Sequence, residues 1–358
     1  MSLLSASARP RARWRCGVGS VPLLLALVAC EFPTAVPQVD QTWIVPPQTT
    51  TIALANLLPA GVRILPDSSA FALDVPPVSA SRALSADCAA CAAANGTTVA
   101  KPAFVATVSA TAALPAGITA ATLASGTLQL AVTNNYTFDP IRPSAAARGY
   151  VVTTIANGST IIGRDSVDGA TTAFPPGATI TRSIALAGAI SSASPVTITI
   201  RINSPAGDPV AMDASRTITV AATPANLAIP TAAVSVVNRP ISASATADLR
   251  NIDSTITNHV TGGSLLLDVV NPFAVGGTIT VLVSAPNVAT ITKTAQLAPG
   301  TTTDTLSLTQ GELMPLFGHV VTMSFSGPVS GTSGAVAVAP RQAVVVTTHF
   351  VVTLHTGG

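Results

Sequence analysis

Charge is the scarcest property of this sequence. Only 9% of its 358 residues are Asp, Glu, Lys or Arg, and Glu and Lys occur twice each. Long helices need a charged or polar outer face, so helical bundles and coiled coils are excluded. Aromatic residues contribute only 4%, yet 48% of the chain is hydrophobic, far too much for a disordered protein and enough for two cores. Thr, Val, Ser, Ala, Gly and Pro fill the remainder, a composition that favours strands and turns. Four of the 17 basic residues, Arg9, Arg11, Arg13 and Arg15, precede the first apolar run, leaving 13 basic against 15 acidic residues beyond position 29. No Lys/Arg cluster remains there, so nucleic acid is not an expected partner.

Residues 1–29 have the form of a secretory signal: an Arg-rich start followed by an apolar stretch that includes Val21-Pro22-Leu23-Leu24-Leu25-Ala26-Leu27. The stretch is too short for a permanent membrane span. It ends in Leu27-Val28-Ala29-Cys30, which resembles the lipobox of bacterial lipoproteins. That resemblance implies that the Cys30 thiol takes a diacylglyceryl group, that cleavage makes Cys30 the acylated N-terminus, and that palmitate-type chains hold the protein to a membrane. Glu31 stands where Asp would signal inner-membrane retention, which points to the outer membrane. Residues 30–50, with Pro33, Pro37, Pro46 and Pro47, read as an extended lipidated tether.

Beyond residue 50 the chain is a succession of short Val/Ile/Thr/Leu runs bounded by Gly, Pro and Asn. Runs such as Val196-Thr-Ile-Thr-Ile-Arg-Ile202 alternate at period two, which predicts half-buried strands in an antiparallel sandwich. An internal repeat is visible. Gly126-Thr-Leu-Gln-Leu-Ala-Val-Thr-Asn134-Asn135-Tyr136 aligns with Gly263-Ser-Leu-Leu-Leu-Asp-Val-Val-Asn271-Pro272-Phe273, and the Pro176-Gly177 stretch aligns with the Pro299-Gly300 stretch. The copies close at Thr217–Val220 and Ala343–Val346. These features predict an all-β fold of two tandem antiparallel β-sandwiches: residues 51–223, carrying an inserted loop over 79–101, and residues 224–358, joined over 222–230. Leu249, Ile252, Ile256 and Val260 recur at helical spacing and predict a short helix before the second copy. The stretch Leu114 to Leu123 is interrupted by Pro115 and Gly117 and predicts at most a turn or two.

The Asn271-Pro272-Phe273 strand end, followed by Thr278–Val283 and a Pro-Gly turn, resembles the late-embryogenesis-abundant type 2, or WHy-like, sandwich. Asn134-Asn135-Tyr136 is its diverged copy. The resemblance covers about 70 residues per repeat. It implies an immunoglobulin-like sandwich of about seven strands, with a stabilising, interaction or apolar-ligand role and no catalytic residue.

Of four cysteines, Cys16 lies in the leader and Cys30 at the proposed acylation point. Cys88-Ala-Ala-Cys91 remains. Haem attachment needs His after the second Cys, where Ala92 stands, and a zinc site needs ligands that the first repeat, without His, does not supply. A thioredoxin-like pair would begin a helix in a βαβ setting. The expected reading is a local Cys88–Cys91 disulfide in an exported protein.

No nucleophile elbow, zinc-protease, dinucleotide or P-loop motif occurs. Asp165/Asp168 and Asp208/Asp213 sit beside Gly and Pro, where Asp ordinarily forms turns. Asp165 and Asp168 are the pair to examine for calcium, although they match no EF-hand spacing. The mature chain has one Trp, Trp43, and two Tyr, Tyr136 and Tyr150, few for stacking on sugar rings. The expectation is a non-catalytic lipoprotein with a binding, scaffolding or envelope-stabilising role and no cofactor, touching the membrane through its anchor. The alternative is a carrier holding a lipid or other apolar ligand between its sheets. An exported hydrolase or redox enzyme ranks third.

Overall fold

A computed structural model describes residues 39–356. The described residues form antiparallel strands, and the longest helix among them has five residues, as the all-β expectation requires. The strands form two sandwiches with one connectivity.

In the first sandwich, one sheet runs Phe104–Ala112, Val196–Ser204, Tyr150–Asn157, Thr160–Asp168. The other runs Val78–Ala83, Thr217–Ile229, Ser125–Asn134, Thr179–Ala185. In the second sandwich the corresponding sheets are Arg239–Asp248, Val320–Gly331, Val275–Ser284, Ile291–Leu297 and Gln48–Ala53, Ala343–Thr356, Val260–Asn271, Gly300–Thr309. Counted along each sandwich, the strand orders are 2-7-4-5 and 1-8-3-6 in both. Eight strands in this order make a jelly roll, where the resemblance implied a seven-stranded immunoglobulin-like order.

The sequence places the cores directly. Phe104–Ala112 alternates buried and exposed over its whole length, and Ile198, Ile200 and Ile202 of the strand beside it are all buried. Outward positions carry small hydroxyls, which pair across strands: Thr133 with Thr179 at 2.9 Å and Thr49 with Thr347 at 3.2 Å. Hydroxyls therefore do most of the solvating that charge does on an ordinary surface.

The expected boundaries need correction. Residues 39–50 belong to strands: Val39–Ile44 and Gln48–Ala53 both pair with the final strand, Ala343–Thr356. The first strand of the second sandwich thus comes from the N-terminal end, and the first sandwich is inserted after it. The signal was present as a second repeat. Val45-Pro46-Pro47 interrupts one edge strand and Val75-Pro76-Pro77 interrupts its counterpart, Phe71–Leu73 and Val78–Ala83. Two prolines are tolerated at an edge because fewer backbone donors are needed there. Residues 79–83, read as the start of an insertion, are that counterpart strand.

The joint expected at 222–230 lies inside the strand Thr217–Ile229. The helix expected from Leu249 to Val260 is confined to Ser254–Thr257, because Leu249 follows one strand directly and Val260 begins the next. Ile118–Leu123, expected as a turn or two, is a strand. It joins Gly188–Ser191, Ala232–Ser235 and Ala335–Val338 in a sheet with members from both sandwiches, so the two jelly rolls share backbone hydrogen bonds.

The aligned asparagines hold equivalent places. Asn134 Nδ2 donates to the Phe138 and Phe174 carbonyls, and its Oδ1 accepts from the Tyr136 amide. Asn271 Nδ2 donates to Val275 and Ala298, and its Oδ1 accepts from Phe273. Both are fully buried. Each ties the end of the third strand to the turn entering the sixth, where Gly177 and Gly300 adopt φ of +77° and +89°. Replacing either Asn with Ala strands several buried backbone groups, and should cost about 2–3 kcal/mol in a denaturant titration. The residues two places on differ: Tyr136 has a buried hydroxyl with no partner, where the second copy has Phe273. Tyr136→Phe should therefore be neutral or stabilising by about 1 kcal/mol in the same assay.

Candidate functional site

Cys30 lies outside the described residues. Cys88 and Cys91 form the expected disulfide, with Cα atoms 5.1 Å apart. The pair does begin a helix, Ala89–Ala93, capped by Cys88 Sγ accepting from the Cys91 amide, but the setting is two short helical turns between β-strands. Both cysteines are buried, Cys91 completely, which keeps the bond from thiol reagents and gives it a structural place.

Asp165 and Asp168 do not converge. They lie three residues apart on one strand, Thr160–Asp168, and so do not face the same way. Asp165 is not a turn former: its Oδ2 accepts from Arg182 Nε at 2.7 Å, across the open edge between the two sheets, and this partner holds its carboxyl below the usual range. Asp168 does make a turn, accepting from the Ala170 amide. Asp213 does likewise with Ser215 and also pairs with Arg216. Among the described residues no three His, Cys, Asp or Glu side chains cluster as metal ligands.

The histidines are scattered over the second sandwich. His355 meets Asp40 at 2.8 Å and His349 meets Asp268 at 3.1 Å. Thr303 Oγ1 donates to the other oxygen of Asp268 at 2.6 Å. Both groups bond to Asp268 on opposite oxygens, an outer-face network without the base-to-nucleophile contact that hydroxyl activation needs. Glu312 accepts from Lys293 at 2.8 Å and closes a capping box with Thr309, which together hold its carboxyl below the ordinary range.

The space between the sheets is small. A cavity of about 40 Å³ lies among Leu128, Ile155 and Ile198, and one of about 20 Å³ among Leu267, Val281 and Phe325. Sites for small molecules run to roughly 300–1,000 Å³, so neither interior accommodates a lipid chain.

Two residues that no sequence pattern marked organise one end of the first sandwich. Asp139 Oδ1 accepts from the Ile141 and Arg142 amides, and its Oδ2 accepts from Phe174 at 2.6 Å. The loop so held packs on the sheet end: Gly149 donates to the Ile141 carbonyl, and Ser204 Oγ donates to Pro140. A Cβ at Gly149 would stand 2.2 Å from the Asn203 carbonyl oxygen, so only glycine fits there. Nearby, Lys101 is 1% exposed. Its Nζ donates to the Pro102 and Pro205 carbonyls and lies 4.7 Å from the Phe104 ring centre and 5.3 Å from that of Phe138. As one of only two lysines it was legible as rare, but its partners, Phe104, Phe138 and the Pro205 carbonyl, come from three separate segments.

On the outer face beside this loop, Tyr150 is 43% exposed and its hydroxyl accepts from Asn203 Nδ2 at 3.0 Å. Tyr150, Val152, Arg164 and Asp168 contribute to a groove of about 590 Å³.

No family model and no curated protein matches the chain. Among solved structures, it is similar to a "putative secreted protein" from Parabacteroides distasonis, at 10% identity and TM-score 0.34 over 89% of this chain and 100% of that one. The cowpea mosaic virus top component follows at 11% identity and TM-score 0.18, over 65% and 77%. The infectious bursal disease virus VP2 subviral particle gives 11% identity and TM-score 0.16, over 91% and 82%.

Burial lowers the Lys101 pKa from 10.5 to about 8. Below pH 8 the lysine is charged in both folded and unfolded states, and the folded state bears the cost of desolvating that charge. Between pH 8 and 10.5 the folded form sheds its proton first, so stability rises through that window. Denaturant titrations should show this rise in the wild type and a flatter profile in Lys101→Met.

Proposed function

We propose that this chain is a non-catalytic lipoprotein of the bacterial cell envelope, retained at the outer membrane by acylation of Cys30, in which two coupled jelly rolls serve binding and scaffolding. The observation that carries the reading is that strand pairing is already present a short way along the chain from Cys30. Val39 already pairs with Thr356 in the second sandwich, nine residues beyond Cys30. A fully extended chain covers at most about 3.6 Å per residue, so the leash reaches no further than about 30 Å. Much of the stretch expected as a tether, residues 39–44 and 48–50, is strand, and an acyl anchor at Cys30 would hold the body close to the lipid surface. Shared strands between the sandwiches suit a part that presents surfaces at a fixed spacing.

The dispersed histidines and carboxylates support a role without catalysis, and the small interior cavities weigh against the carrier alternative. Labelling of cells with a radioactive fatty acid should mark the full chain, and Cys30→Ser should remove both the label and retention in the membrane fraction. Wild-type protein that stays unlabelled would overturn the anchor.

A further inference from the structure

The outer face of the Tyr150 sheet has an order that the sequence does not display. Tyr150 pairs with Asn203 on one side and Asp168 on the other, and the next row of that face is Arg201, Val152 and Ser166. The hydroxyl of Tyr150 reaches the side chain of its direct cross-strand neighbour. Neighbouring Cα atoms across a ladder are only about 5 Å apart, so the ring leans toward Asn203 to make that bond, while 43% of Tyr150 stays open to solvent. An aromatic ring anchored at its hydroxyl and open to solvent in this way offers a surface for stacking. Planar amide, carboxylate and guanidinium groups surround it, all able to hydrogen-bond hydroxyls. Arg201 and Arg164 offset Asp168, so the face lacks a strong field of one sign.

The platform is also fixed before any ligand arrives. Its strand follows directly on Gly149, which is seated against the Asn203 carbonyl. Gly169 donates to the Gly149 carbonyl, and Arg142 Nε donates to Gly169, locking the neighbouring turn to the Asp139 loop. Little ordering entropy is then left to lose on binding.

We infer that this groove binds a neutral saccharide, one sugar ring stacking on Tyr150 while its hydroxyls meet Arg164, Ser166 and Asp168. A pyranose has the required two-sided chemistry: a face of C–H bonds for the ring and an edge of hydroxyls for the flanking groups. The inference names the ligand class of the binding role proposed above, but the groove and the anchor are tested separately.

The test is affinity electrophoresis of the full chain in detergent, through native gels containing soluble neutral polysaccharides: mannan, xylan, galactan and mixed-linkage β-glucan. At least one should retard the protein. Tyr150→Ala should weaken that retardation about tenfold or more with an unchanged melting curve, and Tyr150→Phe should retain most of it. Migration unaffected by every polysaccharide, or retardation that survives Tyr150→Ala, would overturn the inference while leaving the fatty-acid labelling result untouched.

Discussion

The pairing of residues 39–53 with the last strand is the constraint on which the architecture depends. Ala343–Thr356 has Val260–Asn271 on one side and the two N-terminal strands on the other. Without them its outer row of backbone groups would be unpaired and Val344, Val346 and Val352, all buried, would lose part of their cover. The bond between Asp40 and His355 spans 315 positions, nearly the whole chain. Contacts this distant are slow to form because the loop must close before they reward it. The second sandwich can be completed only once the final residues are available, whereas the first has all the strands of its two sheets between residues 62 and 229.

This nesting explains why the two sandwiches are coupled. The chain must leave the second sandwich after Ala53 and return to it at Arg239, and both passages run beside the shared sheet. Ala232–Ser235, on the return, pairs with Ile118–Leu123 of the first sandwich and Ala335–Val338 of the second. An insertion with two crossing points and a common sheet resists relative motion better than a single linker between consecutive domains would.

Strands and cores were legible in the sequence because period-two alternation is a local signal. The equivalence of Asn134 with Asn271 was legible too, since the blocks around them keep order and spacing. Connectivity was not. Thr217–Ile229 reads as a strand whichever neighbours it has, and no local feature says that Gln48–Ala53 pairs three hundred residues away. The repeated Val-Pro-Pro was the available clue, masked because prolines near a lipobox read naturally as a tether. Helical spacing from Leu249 to Val260 misled for a related reason: a strand end, a turn and a strand start can place apolar residues at 3.6-residue intervals by coincidence. The Tyr150 face was invisible because its members, Asn203, Asp168 and Arg201, meet only through ladder register, and Asp139 and Lys101 act through backbone carbonyls and amides brought together by the fold.

Some of the few charges lie across the edges of the sheets. In the first sandwich Arg182 bridges to Asp165 between the sixth and fifth strands. In the second, Lys293 of the fifth strand meets Glu312 just beyond the sixth, and Asp304 of the sixth accepts from the Gln296 amide of the fifth at 2.8 Å. Partly exposed pairs of this kind contribute roughly 0–1 kcal/mol each, too little to account for their placement by stability. Their position fits a different need. The fifth and sixth strands are sheet edges in both jelly rolls, and a hydroxyl-coated, charge-poor strand with free backbone groups is a template for another molecule's strand. A charged side chain laid across that edge makes such pairing costly, and a carboxylate that occupies an edge amide removes the donor outright. The prolines at positions 46, 47, 76 and 77 guard the first strands in the same way, by deleting donors. A protein with little charge to spare has thus kept some of it at edges where neutral sheets would otherwise join.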